Sequence, residues 1–293
     1  MKKLLFILLF ISCSASATQS IHINALNYPV WAERNQSRIP LSPGSALNIG
    51  DIVQTGSMGR AWISLPDGSV VKLGQNSRFK IDELEYQQQQ QSALMTAALN
   101  MLKGAFRFTS GFFASKFTNK HQLNIRIGAI TVGIRGTDIW GRSSADEDFV
   151  ALLEGNITLE PETDASVELD QPLARYSKKT AHAEAAVDTV SRSELEKLAS
   201  ETELSAQQGI ASIDGRFELV LMSLTDPKSV ALMVKKFQLA GYALNIEPVI
   251  VNFEKFQRLK ISGFVSRQAA ESLAAGLRDE FKLDSEWVRP ASF

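Results

Sequence analysis

Cysteine is almost missing from this 293-residue sequence, in which Cys13 is the only one. A chain with one thiol can form no internal disulfide framework and no multi-cysteine metal site. Histidine is scarce as well: His22, His121 and His182 lie far apart, without a ligand spacing such as His-x-x-x-His. The sequence therefore predicts no bound metal and no other cofactor.

An excess of charge of either sign is also lacking, since the formal net charge is −1 at pH 7. Proteins that bind nucleic acid usually present a strongly basic surface, so no nucleic-acid partner is expected. The Gly-x-Ser-x-Gly elbow of serine hydrolases is absent, and no Ser-His-Asp set stands out. We therefore predict that the protein is not an enzyme and has no catalytic residues.

Long hydrophobic runs are missing, apart from one short run near the N-terminus. Lys2 and Lys3 precede an apolar stretch at 4–11, which is too short to cross a bilayer as a helix of about 20 residues. Ala15-Ser16-Ala17 then resembles a signal-peptidase site. We predict a cleavable signal peptide at 1–17 and a periplasmic mature chain without a transmembrane segment. A lipid anchor at Cys13 is the less favoured alternative.

Short alternating runs between turn residues dominate residues 18–170. Ala61, Ile63 and Leu65 share one face of a strand before the turn Pro66-Asp67-Gly68, and later runs alternate in the same way. This spacing indicates an all-β domain, either a sandwich or a β-solenoid-like fold. Residues 84–103 interrupt the pattern and are rich in Gln, Ala, Leu and Met, so a helical insertion is predicted there.

Residues 171–213 are rich in Ala, Glu, Ser, Thr and Lys, and are predicted to be a partly helical, partly flexible linker. Residues 214–293 then contain a strand–helix pattern twice. Asp226 and Ser266 stand at corresponding helix N-cap positions, and Gly241 is the expected end of the first helix. Each copy is followed by another strand. The order predicts an α+β ferredoxin-like βαββαβ domain with a four-stranded antiparallel sheet.

One face of that predicted sheet has no helix left to cover it. Alternation along the strands places cationic groups on this face, and such groups donate hydrogen bonds to sugar hydroxyls while aromatic rings stack on sugar C–H faces. We predict a glycan-binding site formed by Met222, Ser223, Phe256, Arg258, Lys260 and Trp287.

The C-terminal part, 214–293, resembles the SPOR domain family. The run Gln257-Arg258-Leu259-Lys260-Ile261-Ser262-Gly263-Phe264 is similar to the family's aromatic–Arg–Val–Arg–Val–Gly–Pro–Phe run, and Ser266 opens the helix that follows. The resemblance implies binding to peptidoglycan, with glycan strands stripped of their stem peptides lying across the open sheet face.

The part at about 45–160 resembles the FecR-like β domain. Three runs carry the likeness: 65–73 (LPDGSVVKL), 104–108 (GAFRF) and 130–138 (ITVGIRGTD). In iron-uptake regulators this periplasmic domain relays a receptor signal to a sigma factor. Those proteins carry a cytoplasmic segment and a membrane helix ahead of it. Because a cleavable signal is predicted here instead, a sigma-regulator role is not expected.

Together these features predict a non-catalytic cell-envelope protein. Its C-terminal domain would bind peptidoglycan glycan strands, and its β domain would bind envelope or division proteins. The alternative is a periplasmic protein–protein interaction or signalling module whose SPOR-like face no longer binds glycan. A peptidoglycan-cleaving enzyme is the least favoured hypothesis.

Overall fold

The computed structural model describes residues 20–89, 92–111, 121–179, 185–284 and 286–291. Within these ranges most residues lie in β-strands, and the helices are short. The predicted signal peptide and His182 lie outside the described residues.

The regular elements follow one another in a strand-rich order. The strands are β1 (His22–Asn27), β2 (Val30–Arg34), β3 (Ser37–Pro40), β4 (Ile52–Thr55), β5 (Arg60–Ser64), β6 (Val70–Leu73), β7 (Arg78–Gln89), β8 (Ser92–Thr109), β9 (His121–Ile127), β10 (Ile130–Ile134), β11 (Asp138–Ser143), β12 (Glu147–Glu154), β13 (Ile157–Pro161), β14 (Val167–Leu169), β15 (Ala174–Lys179), β16 (Ala186–Thr189), β17 (Ile210–Ser212), β18 (Phe217–Leu224), β19 (Asn245–Val251), β20 (Glu254–Phe264) and β21 (Trp287–Pro290). The helices are α1 (Arg192–Thr202), α2 (Pro227–Ala240) and α3 (Arg267–Phe281), with a 3-10 turn at Ala206–Gln208.

Hydrogen bonds join these strands into one network with two halves. Half A runs β16-β15-β12-β11-β8-β6-β5-β1-β17 and continues through β20 to β18, β19 and β21. Half B runs β3-β2-β4-β7-β8-β9-β10-β13-β14. The neighbouring strands are antiparallel, except that β8 and β9 are parallel.

Strand β8 belongs to both halves and changes from one to the other at Gly104. Its first part pairs with β7 and β9, and its last part pairs with β11 and β6. Gly104 has φ +96°, and a Cβ there would lie 2.7 Å from the Cα atom of Ser77. Only glycine fits this bend without strain or displacement. Buried side chains from both halves therefore meet in one hydrophobic core.

The prediction of a helical insertion at 84–103 is wrong. The described residues of that range belong to the β7–β8 hairpin. Met95, Ala97, Leu99 and Met101 are all buried, which is the period of two that a strand with one core face requires. Burial of this face outweighs the helix propensity of Gln, Ala, Leu and Met.

The fold-class prediction of two separate domains, the second a ferredoxin-like βαββαβ domain with its own four-stranded sheet, is also wrong. The C-terminal elements do not form a clear domain of that kind, because their strands continue half A. Strand β17 pairs with β1 through Ala25 opposite Ser212, and with β20 through Ala211 opposite Phe264. The N-terminal and C-terminal parts thus share one sheet and one core.

The segment predicted to be a linker is largely regular structure. Its described residues form β15, β16, α1 and β17, all of which pair or pack with the sheet. Ser191 caps α1, and its hydroxyl accepts from the backbone N–H of Glu194, whose carboxylate accepts from the Ser191 N–H. This reciprocal capping box explains why the helix begins where it does.

The predicted ends of the C-terminal helices are confirmed. Asp226 and Ser266 cap α2 and α3 through their side chains, and Gly241 ends α2 with φ +89°. The end of α2 rests on the N-terminal part, because Gly241 accepts a 3.2 Å hydrogen bond from the Val30 N–H. A Cβ at Gly241 would lie 2.7 Å from the Trp31 ring.

Candidate functional site

Most of the predicted glycan site shares one sheet face, called here the open face of β18–β21. On β20, Arg258 lies opposite Ser223 and Glu247, while Lys260 lies opposite Val220 and Asn245. Trp287 on β21 also lies opposite Val220, and Phe256 is two residues before Arg258 on β20. The structure therefore brings together Ser223, Phe256, Arg258, Lys260 and Trp287.

Met222 does not join them. The register of β18 shifts between Val220 and Met222, which places Met222 opposite Leu259 rather than opposite a cation. Its half-buried side chain packs against the main core. A β-bulge inserts one residue and moves every later side chain to the other face. The predicted placement of Met222 on the open face is thus wrong.

Two glutamates occupy the centre of the open face. Glu218 is 2% exposed, and its carboxylate binds Lys260 Nζ at 2.8 Å and Arg289 Nε at 2.5 Å. Glu247 binds Arg289 Nη2 at 2.6 Å and lies 3.4 Å from Arg258 Nη1 and 3.6 Å from Lys260 Nζ. All three cations of the face therefore have carboxylate partners within the same strands.

The electrostatics follow from this pairing. Burial alone would raise the pKa of Glu247, but the Arg289 hydrogen bond and the charges of Lys260, Arg289 and Arg258 outweigh it and lower the pKa. Burial alone would lower the pKa of Arg289, but Glu218 and Glu247 outweigh it and raise the pKa. Both shifts favour the charged forms of Glu247 and Arg289, so this pair is an ion pair at neutral pH.

The aromatic part of the face is partly accessible. Trp287 is 41% exposed, and the Arg258 guanidinium lies 5.5 Å from the centre of its ring. Beneath them Val220 is fully buried, so the long side chains cover the middle of the sheet. Arg289, Glu218 and Glu247 were missed as members of this site. The sequence shows that Arg289 alternates with Trp287, Glu218 with Val220 and Glu247 with Asn245, but it does not show which strands pair.

The hairpin between β19 and β20 carries a second exposed feature, called here the apolar tip. It consists of Ile250, Val251 and Phe253, all exposed, and the Phe253 side chain is fully so. Asn252 and Phe253 form the turn, and their φ angles are +50° and +68°. Both values are unusual for residues other than glycine. An aromatic ring is thus held in water at a conformationally costly position.

Other classes of site find no support within the described ranges. No three His, Cys, Asp or Glu side chains there are arranged to hold a metal ion. None of the described helices is both long and apolar enough to span a membrane. Trp140 is buried, whereas Trp62 is half-buried.

One stretch of the chain is similar to a known protein family. Residues 51–158 match the family model described as FecR protein. This stretch is a FecR domain. It begins just before β4 and ends inside β13, so it contributes to both halves of the sheet. The FecR resemblance inferred from the sequence is confirmed, whereas the SPOR resemblance of 214–293 stays a prediction.

Two crystal structures described as a "putative anti-sigma factor" from Parabacteroides distasonis also align with the FecR-containing chain. The alignments cover 79% and 82% of this chain and 91% and 99% of the other, each at 12% identity and a TM-score of 0.39. Similarity at this level supports no conclusion about fold or function. No curated protein matches the chain.

Proposed function

We propose that this protein is a non-catalytic interaction module of the cell envelope that binds a protein partner rather than peptidoglycan glycan. The observation that carries the proposal is the ion network of the open face. Arg258, Lys260 and Arg289 are the donors that a glycan would need, and each already binds Glu218 or Glu247. A neutral sugar would have to replace charge-assisted hydrogen bonds with weaker ones.

The apolar tip is the surface best suited to a partner. Three exposed apolar side chains project at the end of a hairpin, and an exposed aromatic anchor of this kind typically inserts into a pocket of another protein. Strand addition along β19 is disfavoured, because Pro248 removes a donor from its free edge. We therefore propose a protein partner with a concave apolar pocket that receives Phe253.

The cellular setting is part of this proposal. The N-terminal pattern of Lys2, Lys3, an apolar run and Ala15-Ser16-Ala17 supports export by a cleavable signal peptide. Cell fractionation and the N-terminal sequence of the recovered protein would check the location. A protein recovered with residues 1–17 intact in the cytoplasm would contradict it.

One experiment separates the two binding functions. Protein lacking residues 1–17 is mixed with purified sacculi, with and without amidase treatment, and the pelleted fraction is measured. We expect no enrichment on amidase-treated sacculi. Enrichment that disappears in the Arg258→Ala and Trp287→Ala variants would restore the glycan function, which the exposure of Trp287 favours.

The protein partner is tested by a photo-reactive residue placed at position 253 in cells. The matched control is position 232, because Leu232 is also an exposed apolar residue but lies on α2. We expect one cross-linked protein at 253 only. The purified partner should then bind the wild type at least about tenfold more tightly than Phe253→Ser, as for an interface hot spot. Equal affinity of the two proteins would reject the apolar tip as the docking surface.

A further inference from the structure

A row of cations and aromatic rings crosses the outer face of half A. Successive strands place Trp62 opposite Lys72, Lys72 opposite Arg107, and Arg107 opposite Trp140. Arg142 and Phe149 lie opposite each other in the next row. We call this face the platform; its members are Arg60, Trp62, Lys72, Arg107, Trp140, Arg142, Phe149 and Arg175. All but Arg175 belong to the FecR domain.

Cations and rings of the platform also contact one another. The Arg142 guanidinium lies 5.1 Å from the Trp140 ring centre and 5.7 Å from that of Phe149. Lys72 Nζ lies 5.5 Å from the Trp62 ring centre. Such a surface attracts carboxylates through its cations and aliphatic side chains through its rings. Its chemistry is that of a binding surface for an acidic, amphipathic ligand.

A segment of the same chain covers the platform. We call residues 190–205 the strap; it contains helix α1. Glu194 lies 3.1 Å from Arg175, Glu201 lies 2.5 Å from Arg142, and Glu203 lies 2.8 Å from Lys72.

Two further contacts hold the C-terminal end of the strap. Arg107 Nη1 lies 3.5 Å from Glu203. Arg60 Nε donates a 3.0 Å hydrogen bond to the Glu201 carbonyl in the last turn of α1, where a cation also suits the helix dipole. The platform therefore holds the strap through the same kind of ion pairs that it would form with an acidic helix of another protein.

The strap buries little apolar surface against the platform. Val190 and Leu198 are its buried apolar side chains, and with half-buried Leu195 they form a small cluster on Trp140 and Phe149, separate from the main core. An isolated helix of 11 residues is marginal in water. The ion pairs are partly exposed, because Glu201 is 38% and Glu203 45% accessible. Local opening of the strap should therefore be easier than unfolding of the sheet.

The fit of the strap is also incomplete. A cavity of about 380 Å³ lies beside α1 and is lined by Arg107, Trp140, Leu195 and Ala199 among others. Trp140 is 1% exposed, and its indole N–H has no acceptor among the described residues. A buried donor without an acceptor is costly. A ligand that fills the cavity and supplies an acceptor would satisfy a group that the strap leaves unpaired.

We propose that the strap occupies, within the chain, the binding site of an acidic amphipathic helix from a partner protein. When the strap lifts, the carboxylates among the described residues that still pair with the five platform cations are Asp138, which binds Arg107, and Asp188, which binds Arg175. The partner helix presents carboxylates about two turns apart, as Glu194 and Glu201 are, with an aliphatic residue between them. This site involves neither the apolar tip nor the open face, so it does not depend on the function proposed above.

The test uses the full chain and a fluorescent synthetic peptide with the sequence of residues 188–205. Glu201→Lys/Glu203→Lys reverses the strap charges next to Arg142 and Lys72. Glu196→Lys is the matched control, because Glu196 is exposed on the same helix and its ion pair within the described part of the chain is with Arg192, at 3.8 Å, and not with the platform. We expect the double variant to bind the peptide at least about tenfold more tightly than the wild type or the control, since a tethered strap competes at high effective concentration. High salt should weaken this binding.

Hydrogen exchange shows whether the strap lifts. Amides of α1 should exchange faster in the double variant and in Leu198→Ala, while those of β6, β8 and β11 stay protected. If α1 exchanges only together with these strands in both variants, the strap is a fixed part of the fold and the proposal is wrong. The proposal is also wrong if release of the strap does not increase the affinity for the peptide. It is wrong as well if heparin, or a peptide in which glutamine replaces each glutamate, binds the double variant as tightly as the original peptide does. Leu198→Ala replaces the double variant in the binding assay if the latter does not fold.

Discussion

Replacing Phe253 with glycine should make the protein more stable, although it removes a large apolar side chain. Asn252 and Phe253 form a two-residue turn with both φ angles positive, at +50° and +68°. This is the pattern of a type I′ turn, for which Asn-Gly is the preferred sequence. A residue with a Cβ in this region costs about 1–2 kcal/mol.

The gain in folding stability is smaller than this strain energy. Glycine has more conformational freedom in the unfolded chain, and this entropy offsets roughly 0.5–1 kcal/mol of the gain. The Phe253 side chain is fully exposed, so its removal takes away no buried apolar area. We expect Phe253→Gly to raise the free energy of unfolding by about 0.5–1 kcal/mol, or the melting temperature by about 1–4 °C.

Urea denaturation and calorimetry of the full chain measure this change. Phe253→Ala is the control, because alanine keeps the backbone strain and should leave stability nearly unchanged. Phe253→Asn should fall between the two, since asparagine tolerates this conformation better. A loss of stability in Phe253→Gly, or an equal gain in Phe253→Ala, would refute strain as the cause. The Phe253→Gly protein should also bind the partner protein more weakly than the wild type does. Its stability and its affinity for the partner should therefore change in opposite directions.

Three further substitutions test the ion network of the open face and the bend of β8 at Gly104. Glu218→Gln should cost about 2 kcal/mol in urea denaturation, because it removes the charge that binds Lys260 and Arg289 and leaves both cations to share Glu247. The pKa of Glu247 is lowered by folding, so its contribution to stability is complete above about pH 5 and is lost as the pH falls through the folded pKa. An acid titration of Glu247→Gln should accordingly be flatter than that of the wild type, and an identical slope would contradict the pairing. Gly104→Ala should cost more than about 2 kcal/mol, whereas Gly44→Ala, at φ +82° with open space around it, should cost about 1 kcal/mol.

Local patterns in the sequence identified many elements correctly. The caps Asp226 and Ser266 and the stop at Gly241 were readable because capping uses side chains next to the helix end. The strands around Ile63 and Val71 were readable from their alternation. The same alternation of Met95, Ala97, Leu99 and Met101 was present in the predicted helix. The composition of this segment favoured a helix. That prediction was wrong because burial of one strand face outweighs helix propensity.

Features that depend on contacts between residues far apart in the sequence could not be predicted from it. The bulge that turns Met222 toward the core leaves no mark in the sequence. The neutralisation of Arg258 and Lys260 required knowing that Glu218 and Glu247 lie on neighbouring strands. The placement of α1 on Trp140 and Phe149 required the pairing of β11 with β12 and the return of the chain across them. Each of these contacts joins residues that the local pattern treats as independent.

Strand β17 has a consequence for the order in which the protein can fold. Leu26 pairs with Ala211, and the Ile213 N–H donates to the Asn24 carbonyl at 3.0 Å, so the first strand waits for a partner made far later in synthesis. Contacts between such distant residues close large loops and slow folding. Until residue 212 is available, one edge of β1 remains unpaired. The sheet can therefore be completed only after the last third of the chain has been made.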